Sequence, residues 1–335
     1  MGYKIPRKIK IGFIGAGAIG SLFGGYLAGI KSKEFSIKVV FFCREDHANK
    51  INLEGLRINQ NGTIHFIHNI KAFKSLTDYK RKDDNLPFDF LFLTTKTYDN
   101  EEAIYQYSEL VNTSRWFVIL QNGIGNEQVI KNQCIKCKLM RIVTSHGALL
   151  EKPGYVYHIG IGFTFIGFPF LSRQESNREE IQSDLAQIMT LLNLIGIETS
   201  YVENIIAKSW EKAFVNIGIN ALGALTRLTN GKLVESESLK QIMTEAVREG
   251  LKVAELKKIN FSRKDIIELT YLVAKKTCNN KNSMLQDVIK QKKTEIDYLN
   301  GKIVEYAKEL KIKVPINEIL TILIKGLEQS YIEDF

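Results

Sequence analysis

Apolar residues enter this chain in short, mostly apolar runs. Residues 8–14 (Lys-Ile-Lys-Ile-Gly-Phe-Ile), Ile37–Cys43, Phe88–Leu93 and Trp116–Leu120 are each the length of a strand. A helical pattern follows the first run, from about Ala18 to Gly29, and others follow the third and fourth. Strands alternating with helices predict a parallel sheet covered on both faces. From Arg141 to Phe170 the texture changes to a Gly- and aromatic-rich alternation, which predicts short antiparallel strands. Arg173–Leu194 reads as a helix. From about Glu203 onward nearly everything has helical period, with Pro315 as the one proline. The pattern therefore predicts an α/β domain over 1–202 and an all-α domain over 203–335, with no internal repeat and no low-complexity tract.

Composition narrows the class. The chain has 335 residues, enough for two sizeable cores, and its 44% hydrophobic and 25% charged residues are ordinary globular usage. Four cysteines exclude a disulfide scaffold. The Cys134-x-x-Cys137 pair has no second pair and no histidine at zinc spacing, so no metal is expected. The net charge of +9 suits an anionic partner, but the basic residues are scattered and carry no RNA motif, so nucleic acid is not expected. Lys4, Arg7, Lys8 and Lys10 precede an uncharged run from Ile11 to Ile30, which imitates a targeting or membrane segment. Seven glycines within that run argue against both readings. The expectation is a soluble cytoplasmic protein with reduced thiols and no membrane association.

Those glycines carry the first chemical signal. Gly15-Ala16-Gly17-Ala18-Ile19-Gly20 follows a predicted strand and opens a predicted helix. In that context the spacing predicts a dinucleotide site in a Rossmann-type doubly wound sheet. The first glycine allows the tight turn, the second lets backbone approach a pyrophosphate, and the third lets helix and strand pack closely. The end of the second strand should read the ribose. Arg44 there favours the 2′-phosphate of NADPH, whereas a strand ending two residues later would present Glu45 or Asp46 instead. Lys96 and Asn122 close the third and fourth apolar runs, where ligands of such sheets sit, although each is also an ordinary turn residue.

In the helical half, Lys212, Asn216 and Asn220 fall at i, i+4 and i+8. Each step of four turns a helix by only about 40°, so the three share a face. One lysine and two amides make a poor core stripe and a good wall for a polar, anionic substrate. Ser283 opens Ser-Met-Leu-Gln, the spacing of a capping box at a helix start, and Glu295 is expected three turns further along the same helix.

The chain resembles the ketopantoate reductases. The resemblance rests on Gly15–Gly20, Thr95-Lys96, Gln121–Gly125, His146-Gly147-Ala148, Pro153-Gly154, Trp210-Glu211-Lys212, Asn216, Asn220 and Thr229-Asn230-Gly231. Ser283–Asp287 and Thr294–Gly301 complete it and are its most specific parts. It implies that Lys212 is the proton donor and that Ser283 and Asn230 contact substrate. It further implies that Glu295 bonds near cofactor and substrate, and that Ala148 touches the cofactor through its backbone. Asn122, Asn216 and Asn220 would complete the substrate site, in a cleft between the domains. The reaction implied is reduction of 2-dehydropantoate, a small anionic 2-oxoacid, to (R)-pantoate by NADPH.

Two departures, Asn282 before Ser283 and Gln291-Lys292 before the Thr294 block, leave room for a sister 2-oxoacid reductase. The rival readings are an NAD-dependent 2-hydroxyacid dehydrogenase of this fold and a non-catalytic NADPH-binding redox sensor. A homodimer is compatible with the pattern, and nothing in the residues requires it.

Overall fold

The computed structural model describes residues 6–83, 86–134, 136–261 and 263–331; Lys4 of the basic lead lies outside them. Two compact units form. One holds Met1–Gln121 and Glu127–Ile205, and the other Asn122–Asn126 and Ile206–Phe335.

The first unit is built on strands β1 (Arg7–Ile14), β2 (Phe35–Phe42), β3 (Leu56–Gln60), β4 (Thr63–Ile67), β5 (Ile70–Phe73) and β6 (Phe90–Leu93). They continue with β7 (Trp116–Ile119), β8 (Leu139–Thr144), β9 (Gly147–Lys152), β10 (Tyr155–Gly160), β11 (Thr164–Gly167) and β12 (Thr199–Tyr201). The large sheet runs β12-β11-β8-β7-β6-β1-β2-β5. From β5 to β8 every pairing is parallel; β11 then lies antiparallel to β8. This is a doubly wound sheet whose strand order reverses at β1, and ligands bind at such a switch point. Its central strands are largely apolar and end in fully buried residues because both faces are covered. Ile11, Phe13, Val39, Phe41, Phe90 and Phe92 enter one apolar cluster, while Ile14, Val40, Phe42, Leu91 and Leu93 enter the cluster on the other face.

Two expectations need correction here. Residues 141–170 are not uniformly antiparallel, since β8 pairs parallel with β7 and extends the main sheet. A second, four-stranded sheet of order β4-β3-β10-β9 also forms. Its β3–β4 hairpin turns on Asn61 and Gly62, both at positive φ, the pairing that two-residue hairpin loops favour.

The second unit is helical, with the 22-residue helix Ile205–Thr226 beginning at its boundary. Helices Glu237–Leu256, Asn300–Glu309 and Pro315–Gln329 pack with it around Phe214, Ile217, Val247, Ile303 and Ile324. Local chemistry sets the ends. Ser236 caps one helix by accepting from the Leu239 N–H, and Pro315 opens another at a position where no amide hydrogen is needed. Buried Asn300 locks two of the helices, donating to the Ile217 carbonyl at 3.2 Å and to Asn317 Oδ1 at 3.0 Å.

Candidate active site

The glycine turn sits at the switch point, directly after β1. Gly15 has φ +82°, and a Cβ there would lie 2.7 Å from the Thr95 amide nitrogen, so both conformation and space require glycine. Gly20 is crowded from the other side: a Cβ would come 2.5 Å from Thr94 Oγ1, which is how helix Ala18–Ala28 packs close to the end of β6. Gly17 differs from both. A Cβ on it would meet nothing nearer than the Gly15 carbonyl at 3.8 Å, so the protein itself leaves that space free. The helix that follows has no side-chain cap and no acidic residue in its first turn. Its leading N–H groups and its positive dipole end therefore suit an anion, and an open cradle at Gly17 fits a pyrophosphate. Ala16 is buried, and Ala18 and Ile19 form the first turn.

β2 ends at Phe42, and Arg44 is the first exposed residue beyond it, at the N-cap of helix Glu45–Glu54. Glu45 and Asp46 already belong to that helix, and Glu45 is drawn to Lys74 at 2.6 Å. The guanidinium of Arg44 has no hydrogen-bond or ion-pair partner among the described residues. Burial pushes the preceding Cys43 thiol up to about 12, which keeps it protonated beside this position. Lys96 is half-buried two residues past Thr94, whose hydroxyl donates to the Gly15 carbonyl at 2.9 Å. Ala148 is half-buried on β9 and packs against the same apolar cluster as the glycine-turn helix.

A brace across the strand ends has no signal in the sequence. Gln121 Nε2 donates to the Thr95 carbonyl at 2.8 Å and to Asn100 Oδ1 at 2.6 Å, tying the end of β7 to the end of β6. Gln121 belongs to the Gln121–Gly125 motif, but nothing in the chain marks Asn100 as its partner.

Asn122 lies in the second unit, where the turn it opens is built into the helical core. Gly123 and Gly125 take φ +84° and +81°, Ile124 is fully buried, and the Ile124 N–H donates to the Tyr298 carbonyl at 3.2 Å. Asn126 Nδ2 holds the Asn122 carbonyl at 2.7 Å. This leaves the Asn122 side chain to Lys212, whose Nζ donates to Asn122 Oδ1 at 2.7 Å. Lys212 and Asn216 are half-buried on helix Ile205–Thr226, and Asn220 is buried two turns on. Asn220 Nδ2 faces Ser283 Oγ at 3.4 Å.

The fold thus brings together Asn122 with Lys212, and Asn220 with Ser283. Asn230 is buried at the start of a short helix and donates to Thr277 Oγ1 at 2.8 Å, while its Oδ1 has no partner among the described residues. Glu295 is buried at the N-cap of the 3-10 turn Ile296–Tyr298.

Two local expectations fail at this point. Ser283 is not the cap of its helix: Asn282 is, accepting from the Leu285 N–H at 2.9 Å, and Ser283 is the first helical residue. Nor does Glu295 continue that helix, which ends at Ile289 before Gln291 takes φ +49°.

Among the described residues no His, Cys, Asp or Glu group could hold a metal, and no helix is long and apolar enough to cross a membrane.

A doubly wound sheet with an uncapped glycine turn at its switch point defines a dinucleotide-binding protein of the Rossmann class. Comparison with known proteins is more specific. Residues 11–169 match the family model for ketopantoate reductase PanE/ApbA, and residues 204–328 match the model for its C-terminal part. The chain is 37% identical to the 2-dehydropantoate 2-reductase of Pyrococcus horikoshii over 320 residues, which is 96% of this chain and 98% of that one. It is 31% identical to the enzyme of the same name from Halobacterium salinarum, over 93% and 96% of the two chains.

Among solved structures, a PanE/ApbA family ketopantoate reductase from Ralstonia eutropha superposes with TM-score 0.83 at 24% identity, over 97% of this chain and all of that one. A ternary structure of D-mandelate dehydrogenase with NADH and anilino(oxo)acetate reaches 0.82 at 25% identity, with the same coverage. The chain belongs to the ketopantoate reductase family, whose members are nicotinamide-dependent oxidoreductases.

Proposed function

We propose that this protein reduces 2-dehydropantoate to (R)-pantoate with NADPH in the cytoplasm, as a step of pantothenate synthesis, and that Lys212 is the proton donor. The observation that carries the mechanism is the Lys212 ammonium held 2.7 Å from Asn122 Oδ1, on a helix face shared with Asn216 and Asn220. Full-length likeness to 2-dehydropantoate 2-reductases supports the substrate. The bound nicotinamide supplies hydride to the C2 carbonyl carbon.

Negative charge then develops on the carbonyl oxygen, and Lys212 stabilises and protonates it. Asn122 holds the lysine by its charged end, so the ammonium waits in a defined place rather than sampling solvent. The Ser283 hydroxyl accepts from Asn220, which leaves its own proton for the substrate carboxylate. Asn216 and Glu295 complete the polar wall. Asn230 Oδ1, a buried acceptor without a partner among the described residues, is assigned to the hydroxyl on C4 of ketopantoate. The Gly15–Gly20 turn holds the pyrophosphate, Arg44 the 2′-phosphate, and Lys96 and Ala148 flank the cofactor.

The second reading is a 2-oxoacid reductase with an aromatic substrate. It is favoured by the superposition on D-mandelate dehydrogenase, which is as good as that on the ketopantoate reductase. One experiment separates the two: NADPH oxidation followed with ketopantoate, 2-oxoisovalerate and phenylglyoxylate. 2-Oxoisovalerate lacks the hydroxyl, so a site built around it should prefer ketopantoate by at least about a hundredfold in kcat/KM. Asn230→Ala should shrink that ratio rather than lower both rates alike. Faster turnover of phenylglyoxylate would replace the ketopantoate assignment.

A further inference from the structure

Helix Glu45–Glu54 carries a buried histidine that the reaction does not use. His47 is 4% exposed, and its Nδ1 lies 2.9 Å from the Gly154 backbone nitrogen. A backbone N–H can only donate, so Nδ1 accepts and the proton of the neutral ring sits on Nε2. Burial keeps the ring neutral, with its pKa lowered to about 4. Nε2–H therefore donates to Ser21 Oγ at 2.9 Å. The Ser21 hydroxyl, fully buried, has received one hydrogen and passes its own to the Ala16 carbonyl at 3.0 Å. Every donor in the chain Gly154, His47, Ser21, Ala16 is thus determined, and the chain ends inside the glycine turn.

We infer that His47 and Ser21 are positioning residues for the cofactor, acting through the Ala16 carbonyl. This rests on the reading that Gly15–Gly20 binds a nicotinamide dinucleotide. The Gly15 and Ala16 amides already donate to the Phe42 carbonyl, at 2.9 and 3.2 Å, so one side of the turn is anchored to β2. The Ala16 carbonyl needs a separate tether, because glycines on either side leave its peptide planes free to rotate. A rotated plane would aim a carbonyl oxygen at the pyrophosphate and repel it. The hydroxyl of Ser21 holds that oxygen inward, and His47 orients the hydroxyl. The pyrophosphate is common to both nicotinamide cofactors, so the tether serves NADPH and NADH equally, in contrast to Arg44.

The test is a fluorescence titration of NADPH and NADH with wild type, Ser21→Ala, His47→Asn and the double variant. Asn at 47 retains an acceptor for Gly154 and loses the donor to Ser21, so both single variants break one link. Each should raise Kd for both cofactors by the same factor, about 5- to 50-fold. The double variant should be no worse than the singles, and kcat at saturating NADPH should stay within about twofold of wild type. Ser21→Ala removes one buried oxygen, so it is the variant expected to fold normally should His47→Asn not. Unchanged Kd in folded Ser21→Ala, or a loss confined to NADPH, would overturn the inference. Absence of binding by wild type to either cofactor would instead overturn the dinucleotide reading beneath it.

Discussion

The two compact units offer candidate site residues of different kinds. In the first unit the candidate residues offer backbone: a glycine turn, an uncapped helix start and a carbonyl held by Ser21. In the second they offer side chains, with Lys212, Asn216 and Asn220 on one helix and Asn122 and Ser283 reaching them from distant segments. A backbone site is specified by a few consecutive residues, because only local dihedrals and missing Cβ atoms are needed. A side-chain site needs several elements in place at once, and no local spacing announces it. Substitutions should accordingly affect binding in the first unit and turnover in the second.

The largest effect should come from Lys212→Ala. Loss of a general acid should lower kcat by about 10²–10⁴, while NADPH affinity, measured by titration, stays near wild type. Near-normal kcat would end the proton-donor assignment and erase the contrast between the units.

Next in size is Arg44→Ala, which should weaken NADPH about ten- to a hundredfold and leave NADH nearly unchanged, as expected for one charged hydrogen-bonding group. Equal losses for the two cofactors would make Arg44 structural.

The glycines sharpen the comparison further. Gly17→Ala meets no protein atom within 3.8 Å and has an ordinary φ of −78°, so it should leave the melting temperature in place while weakening the cofactor by about tenfold. Gly20→Ala strikes Thr94 Oγ1 and should destabilise the fold by about 1–3 kcal/mol, read as a lower denaturation midpoint. If Gly17→Ala lowers stability and spares binding, the cradle is not where the cofactor sits.

The smallest effect concerns acid. All five histidines lie in the first unit, and burial holds His47 and His146 down to about 4, with His158 beside His146 adding to the shift. A folded-state value below the usual imidazole range of about 6.5 means the unfolded chain binds more protons. The stability these rings contribute is therefore complete above that range and is lost as pH falls from it through about 4. Each unit has one tryptophan, Trp116 and Trp210, both buried. In single-tryptophan variants acidified from about pH 7 to 5, Trp116 should report loosening before Trp210. Simultaneous change would show that the units do not differ in this respect.

What could be read from the chain follows the same division. β1, β2, β6 and β7, and the glycine-turn helix, are legible because buried parallel strands are predominantly apolar and the turn chemistry is local. The β3–β4 hairpin was overlooked although Asn61-Gly62 marks it, because its exposed strand β4 has no apolar run to draw notice. Ser283 imitates a capping-box spacing while the neighbouring Asn282 takes the role, since either side chain can accept from an amide three residues on. Glu295 was placed on the wrong element because a left-handed Gln291 carries no sequence mark of its own. The pairing of Lys212 with Asn122, 90 positions apart, is tertiary and has no local signature.

The five residues Asn122–Asn126 bear on how the protein can be dissected. They belong to the helical unit although they lie deep within the stretch of chain that forms the other. A single cut near residue 205 would therefore not yield a self-sufficient C-terminal piece. Such a fragment would lack the fully buried Ile124, a member of its own core, and the amide oxygen to which Lys212 is bonded. The helical unit is a module in space but not in the gene, and transplanting it would require carrying this short insert along with it.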